Sequence, residues 1–130
     1  MTQPSRLSNP IFPNPNVRKY RYDLDKARRI LREAGYVDSD GDGTIEKPRG
    51  VPVKFMLTTN TGNNMRVNTC QIIASDLRKL GMDVAFSPLE FNNLISKLQS
   101  SLDWEAMVMG LTGSIDPHWG KNVWAYDGRT

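Results

Sequence analysis

Acidic residues occupy every second position at the start of the segment formed by residues 38–46, Asp-Ser-Asp-Gly-Asp-Gly-Thr-Ile-Glu. A calcium loop begins in this way, with Asp at positions 1, 3 and 5 and Gly at position 6, while position 9 often binds through water. Position 12 normally supplies a bidentate Glu, but here it is Arg49. Asp and Gly also build ordinary tight turns, because they tolerate left-handed backbone. Both interpretations stay open, and the metal ligands that the first one predicts are Asp38, Asp40, Asp42 and Glu46.

Three candidate loop segments follow three apolar runs that suit strands, and the first and third of them are rich in hydroxyl, amide and glycine groups. They are residues 58–63, Thr-Thr-Asn-Thr-Gly-Asn, residues 88–91, Pro-Leu-Glu-Phe, and residues 111–114, Leu-Thr-Gly-Ser. The hydroxyl, amide and backbone groups of the first and third segments could bind a polar ligand. Capping and turn residues have the same composition, and Asn63 or Thr61 as an N-cap would account for much of the first segment. The candidate ligand-binding residues are Asn60, Thr61, Gly62, Glu90, Phe91, Leu111, Thr112, Gly113 and Ser114.

Residues in a catalytic arrangement are absent from the sequence. Cys70 is the only Cys and His118 the only His, so we expect no internal disulfide and no zinc site. There is no Gly-x-Ser-x-Gly elbow and no Walker loop. Glu90 and Asp116 could be imagined as an acid/base pair, but nothing in the sequence sets the separation of their carboxyl groups. We therefore predict that the protein is not an enzyme and has no cofactor, unless the calcium interpretation of the acidic loop holds and a structural calcium ion binds there.

Hydrophobic periodicity predicts the elements that would position the polar segments. A helix begins at the N-cap Asp23, and a strand over residues 51–58 and a long helix follow it. A strand over residues 82–86, a helix near residues 91–98 and a strand over residues 104–110, expected to be buried on both faces, complete the order. This β-α-β-α-β order implies an α/β fold with a mainly parallel sheet. Such sheets bind ligands at the carboxyl ends of their strands, so the three polar segments should share one edge.

The length of 130 residues suits one domain with a hydrophobic core. Residues 1–22 contain four Pro and read as an extended arm, residues 23–115 as the α/β core, and residues 116–130 as an irregular tail that we expect to be truncated. No apolar stretch is long enough to cross a bilayer, and the first residues lack the apolar region of a secretory signal.

The charge pattern does not favour nucleic-acid binding. Seventeen Lys and Arg against fourteen Asp and Glu give a net charge of +3. The densest basic residues, within residues 18–32, are interleaved with acidic ones, which is typical of a solvated helix face rather than of a phosphate-binding surface.

Residues 22–36, Tyr-Asp-Leu-Asp-Lys-Ala-Arg-Arg-Ile-Leu-Arg-Glu-Ala-Gly-Tyr, resemble a helix of the family 5 extracellular solute-binding proteins, the peptide-binding class. The acidic loop, then residues 50–55, Gly-Val-Pro-Val-Lys-Phe, and residues 74–81, Ala-Ser-Asp-Leu-Arg-Lys-Leu-Gly, follow in the family's order. Residues 103–106 and 110–113 look like the family's strand that enters the ligand cleft. The resemblance extends from about Tyr22 to Gly120.

The resemblance implies a three-layer lobe of a type II periplasmic binding protein. In such receptors two lobes close around a peptide, a nickel chelate or an oligosaccharide and present it to a membrane ABC permease. The chain would be a fragment of the C-terminal lobe of a periplasmic or extracellular parent protein. We expect it to lack both the N-terminal lobe and the export signal, and to bind peptide weakly or not at all on its own.

One departure from the family concerns the ligand's α-amino group. Several peptide-binding members place an Asp at the position of Ser114, and Asp116 stands two residues later. Because Ser makes a weaker hydrogen bond to an ammonium group than a carboxylate does, either Asp116 takes this role or the ligand lacks a free amine. An alternative function is a stand-alone α/β protein-interaction domain, with or without calcium.

Overall fold

The structure is a computed structural model of the 130-residue chain, and it describes Asn16 and residues 18–110. Of these, residues 23–110 belong to one compact unit, and residues 16 and 18–22 belong to a second unit. No helix among the described residues is long and apolar enough to cross a membrane. The elements in chain order are α1 (Leu24–Glu33), β1 (Lys54–Asn60), α2 (Asn64–Lys79), β2 (Asp83–Leu89), α3 (Phe91–Ser96), its π-helical continuation (Lys97–Ser101) and β3 (Ala106–Met107).

The three strands form a parallel sheet in the order β2-β1-β3. β1 pairs with β2 along its whole length, from Lys54 opposite Asp83 to Asn60 opposite Leu89. β3 pairs on the other side of β1, where Ala106 lies opposite Leu57. The predicted α/β class and β-α-β-α-β order are therefore confirmed. The carboxyl ends of β1, β2 and β3 lie along one edge of this sheet, which is the edge expected to hold ligand-binding residues.

The predicted strand boundaries were wrong at several ends. Residues 51–53 precede β1 and form only an isolated bridge, between Pro52 and Glu46. β1 instead continues to Asn60, so the first polar segment is partly strand. β2 continues through Pro88, which a sheet tolerates because β2 is an edge strand of the described sheet and needs no N–H on its outer side.

The third strand is shorter and more exposed than predicted. Only Ala106 and Met107 pair with β1, and neither is fully buried. Trp104, the first residue of the predicted strand, is 43% exposed. The prediction of burial on both faces was wrong, because it rested on the apolar composition of the segment alone, and Ala106 and Met107 are only half-buried.

The core lies between α2 and the face of the sheet that carries Leu57. Leu57, Cys70, Ala74 and Val84 are almost completely buried and form one cluster. α2 contributes Cys70 and Ala74, which alternate with exposed residues at helical spacing. Burial raises the pKa of the Cys70 thiol, so Cys70 behaves as a small buried hydrophobic residue of this core.

The outer helix α1 begins as predicted but packs loosely. The Asp23 carboxylate accepts a 2.8 Å hydrogen bond from the Lys26 N–H, which confirms Asp23 as the N-cap. No residue of α1 is fully buried, and the apolar residue Ile30 is 52% exposed. The Arg28 guanidinium donates to the carbonyl of Lys79 at 3.0 Å and so links α1 to the end of α2.

Candidate ligand-binding site

The carboxyl end of β1 is built from buried polar side chains. Thr58, Thr59 and Asn60 are all less than 9% exposed. The Thr58 hydroxyl donates to the carbonyl of Ser87 in β2 at 2.6 Å, and the Thr59 hydroxyl donates to the carbonyl of Val108, just after β3, at 2.8 Å. The central strand thus holds both neighbouring strands by side chains as well as by backbone, which fixes the relative positions of the three strand ends.

Asn60 and Arg66 form a hydrogen-bonded pair at this edge. The Asn60 Oδ1 accepts a 2.7 Å hydrogen bond from Arg66 Nη1, and its Nδ2 donates to the carbonyl of Thr61 at 2.9 Å. Asn60 was predicted as a ligand-binding residue, but the structure gives both its polar atoms protein partners. Asn60 therefore acts as a support that orients the Arg66 guanidinium.

Arg66 lies close to the end of the third strand as well. A Cβ atom added at Gly110 would come within 2.5 Å of Arg66 Nη2, so the guanidinium lies against the Gly110 backbone. Among the described residues, its only hydrogen-bond acceptor is Asn60, and the Arg66 side chain is half-buried. Guanidinium donors that remain free suit carbonyl or carboxylate groups of a ligand. Sequence reasoning missed Arg66, although its place in the first turn of α2, next to a candidate loop, was a usable signal.

Thr61 and Gly62 are exposed at the same edge and turn the chain from β1 into α2. The Thr61 N–H donates to the carbonyl of Leu89 at 2.6 Å, which ties this turn to the end of β2. The N-cap of α2 is Asn63, whose side chain accepts from the Arg66 N–H at 3.1 Å. Of the two N-cap candidates, Asn63 is therefore the one used. The Thr61 hydroxyl and the Gly62 backbone remain exposed at the edge.

Glu90 and Phe91 follow β2, as predicted, but Glu90 has a local role. Its carboxylate caps α3 by accepting hydrogen bonds from the N–H groups of Asn92, at 2.8 Å, and Asn93, at 3.2 Å. The capping interpretation therefore accounts for this carboxylate. Phe91 is 48% exposed and offers apolar surface beside the edge.

The third predicted segment lies outside the described residues. This applies to Leu111, Thr112, Gly113, Ser114 and Asp116. Gly110 is the last described residue before them. The roles of Ser114 and Asp116 toward a ligand amine therefore stay predictions.

An open groove of about 310 Å³ lies on the face of β1 that points away from Leu57 and the core. Met56 and Thr58 of β1 line it, together with Leu89, Trp104 and Glu105. The Glu105 carboxylate accepts from the Met56 N–H at 2.7 Å, and Lys97 forms a 2.6 Å ion pair with Asp103 that lowers the pKa of that carboxyl. Sequence reasoning did not find this groove, because it depends on where the segment after α3 returns to the sheet.

The four predicted metal ligands are brought together at a separate place. One carboxylate oxygen from each of Asp38, Asp40, Asp42 and Glu46 lies within 4.8 Å of the others. Glu46 is buried, and the three Asp are exposed. An all-oxygen set of this kind suits a hard cation such as calcium.

The sequence as a whole matches the family model described as bacterial extracellular solute-binding proteins, family 5 middle, over residues 2–129. The chain belongs to this family. Family 5 consists of solute-binding proteins, so this family 5 chain is not an enzyme.

Relatives of this family 5 chain include proteins with bound peptides. The oligopeptide-binding protein AppA of Bacillus subtilis is 35% identical over 103 residues, which are 78% of this chain and 19% of AppA. The structure of AppA with a nonapeptide superimposes with a TM-score of 0.76 at 34% identity, over 82% of this chain and 21% of that one. The oligopeptide-binding protein of Thermus thermophilus with a pentapeptide gives a TM-score of 0.67 at 30% identity, over 83% of this chain and 19% of that one.

A third similar structure carries a sugar. The periplasmic oligopeptide-binding protein of Thermotoga maritima with bound mannohexaose gives a TM-score of 0.70 at 26% identity, over 80% of this chain and 20% of that one. These likenesses confirm the predicted periplasmic-binding-protein fold. The family 5 chain spans about one fifth of the length of these relatives.

Proposed function

We propose that the chain forms one wall of the ligand cleft in the substrate-binding component of an ABC importer. The component captures peptides or related small solutes outside the membrane and delivers them to the membrane permease. The observation that carries the proposal is the edge formed by the three strand ends, where Asn60 holds the Arg66 guanidinium against Gly110. Membership of family 5 supports the same role.

The edge has the groups that a polar, extended ligand requires. Arg66 supplies donors for carbonyl and carboxylate oxygens, and next to it Thr61 exposes its hydroxyl and Gly62 its backbone. Phe91 adds an exposed apolar surface. Because hydroxyls of Thr58 and Thr59 fix the neighbouring strands, the site is largely pre-formed, which lowers the entropy lost on binding.

Peptide is the ligand class that we propose first. AppA and the Thermus protein, both with bound peptides, are the more similar in sequence, at 34% and 30% identity. The mannohexaose-bound relative is 26% identical, and it is the reason to test oligosaccharides beside peptides. Because Ser114 stands where several peptide-binding members have an Asp, two kinds of ligand fit the proposal. One lacks a free amine, and the other has an amine that pairs with Asp116.

The remaining wall of the cleft is proposed to come from other parts of a periplasmic or extracellular parent protein. The relatives are about four times as long as this chain, and a two-lobed cleft needs contacts from both sides. We therefore expect the 130-residue chain alone to bind peptide weakly or not at all.

A titration of the protein translated from the complete reading frame would test the proposal. Tryptophan fluorescence is followed while a peptide mixture, an oligosaccharide or a nickel chelate is added. Saturable change with peptides supports the proposal, and saturable change only with another solute would replace the ligand class. If the protein is folded, its fluorescence changes with none of the three solutes and it binds only a partner protein, the interaction-domain alternative is favoured.

A further inference from the structure

The acidic loop of residues 38–46 is folded by its own backbone. The Asp38 carboxylate accepts from the N–H groups of Gly41, at 2.7 Å, and Gly43, at 3.0 Å. The Asp42 carboxylate accepts from the Thr44 N–H at 2.7 Å. These bonds are those of a tight turn, and they would form in a turn that binds no metal. The three Asp therefore do not by themselves identify a site.

Glu46 supplies an independent observation. It is only 4% exposed, and its Oε2 accepts two short hydrogen bonds from Ser39, one from the N–H at 2.7 Å and one from the hydroxyl at 2.6 Å. Its Oε1 is buried and has no hydrogen-bond partner among the described residues. A buried carboxylate oxygen without a partner is costly, because that oxygen has lost its water and gained no hydrogen bond in return.

The surroundings of Glu46 increase that cost. A carboxylate oxygen of Glu46 lies within 4.8 Å of one from each of Asp38, Asp40 and Asp42. No ion pair among the described residues involves any of these four acids. Four like charges at this separation repel one another, and a cation between them would offset both the repulsion and the unpartnered oxygen.

We propose that this loop binds a calcium ion through Asp38, Asp40, Asp42 and Glu46. Oxygens that bind one calcium ion at its usual distance lie at most roughly 5 Å apart, which the 4.8 Å spread satisfies. The set contains no His or Cys, which argues against zinc. Magnesium needs a stricter octahedral geometry at shorter distances than an exposed turn imposes.

Glu46 takes a different role from the one that its sequence position suggests. Counting from Asp38 places it at position 9, where a ligand often acts through water, and leaves Arg49 at position 12. In the structure the Glu46 carboxylate lies directly in the cluster, so it can replace the missing position-12 acid. It reaches the cluster because its own N–H donates to the carbonyl of Val37 at 2.9 Å, which folds the loop back on itself.

The ion would stabilise the amino-terminal edge of the sheet. The Ile45 N–H, next to Glu46, donates to the carbonyl of Gly81 before β2 at 2.7 Å, and the Val53 N–H before β1 donates to the carbonyl of Ile45 at 2.8 Å. The loop therefore joins the starts of both paired strands. Each strand is seven residues long, so the ion lies roughly 20 Å from the ligand-binding edge, and its role is structural and independent of the proposed function.

Thermal unfolding of the 130-residue chain, followed by circular dichroism, tests the proposal. The chain is freed of metal with a chelator and melted with excess chelator, with about 10 mM calcium or with the same concentration of magnesium. A ligand that binds only the folded state raises Tm, and we expect a rise of about 5 °C or more with calcium and a smaller one with magnesium. An unchanged Tm, or equal rises with both metals, would overturn the calcium assignment.

Matched variants separate binding at this loop from a general salt effect. Glu46→Gln should abolish the calcium-dependent rise, while Glu33→Gln, the same change at an exposed residue of α1, should keep it. If Glu46→Gln does not fold, Asp40→Asn carries the test, because Asp40 is exposed and an Asn oxygen can still accept the 3.2 Å bond from the Asp42 N–H. A full calcium response in the Asp40→Asn and Glu46→Gln variants would contradict the proposed ligands.

Discussion

Arg66 Nη1 donates a 2.7 Å hydrogen bond to Asn60 Oδ1, and this bond joins the last residue of β1 to the first turn of α2. Asn60 is only 8% exposed, so its side chain is held in place by its surroundings. The guanidinium that it holds lies against Gly110, beyond the end of β3. A single pair therefore connects the ends of two strands and the start of a helix at the edge where we propose that the ligand binds.

Replacing Asn60 with Ala should destabilise the chain. The change removes the acceptor for Arg66 and leaves a gap at a buried position, so we expect a loss of about 1–2 kcal/mol in the free energy of unfolding. Urea denaturation measures it, with Asn68→Ala, at an exposed position of α2, as the control. Equal effects of the two substitutions would mean that the pair does not contribute to stability.

Thr59→Val should loosen β3 from the sheet. The Thr59 hydroxyl donates to the carbonyl of Val108 at 2.8 Å, and Val keeps the shape but removes the donor. We expect a loss of about 1–2 kcal/mol and faster hydrogen exchange at the Val108 N–H, which donates to the carbonyl of Thr58. Thr61→Val, at an exposed turn residue, serves as the control. Unchanged exchange at Val108 in Thr59→Val would contradict this role.

Gly81 and Gly62 allow a test of packing at equal backbone strain. Both have positive φ, +87° and +80°. A Cβ at Gly81 would lie 2.9 Å from the Ile45 side chain, whereas nothing lies within 4 Å of one at Gly62. Gly62→Ala should cost roughly 1 kcal/mol from backbone strain alone, and Gly81→Ala should cost clearly more because Ile45 must also move. Equal midpoints in urea would show that the loop does not pack tightly against Gly81.

Cys70 should make the free energy of unfolding fall as the pH rises into the alkaline range. Burial raises the pKa of its thiol, so the folded state favours the protonated form. Its contribution is complete below the ordinary thiol pKa, roughly 8.5, and is lost as pH rises through the raised value. The unmodified chain should therefore lose more unfolding free energy between about pH 7.5 and 9.5 than Cys70→Ala does. Parallel pH profiles in urea denaturation would rule out this effect.

The overall fold followed from local patterns in the sequence. Asp23 was identifiable as an N-cap and Asn63 as one of two candidates, because a cap bonds to N–H groups within its own helix turn. The parallel order followed from helices alternating with short apolar runs. Strand ends were less predictable, because residues such as Thr59 and Pro88 are in strands only through their partners in the neighbouring strand.

The candidate site was only partly accessible from sequence. The three polar segments were found, but the roles within them depend on tertiary contacts. Asn60 and Glu90 are occupied by protein partners, while the Arg66 guanidinium lies against Gly110, which follows β3 much later in the chain. The burial of Glu46 was equally hidden, because it depends on how the loop folds back toward Val37 rather than on the residues beside it in the sequence.

The most direct test of the central claim is isothermal titration calorimetry of the protein translated from the complete reading frame. A peptide mixture, or a nonapeptide selected from it, is titrated into the unmodified protein, the Arg66→Ala variant and the Arg29→Ala control, which changes an exposed residue of α1. We predict saturable binding whose Kd rises roughly tenfold or more in Arg66→Ala and is unchanged in Arg29→Ala. No binding of peptides by the folded protein, or an unchanged Kd in Arg66→Ala, would contradict a peptide-binding edge at Arg66.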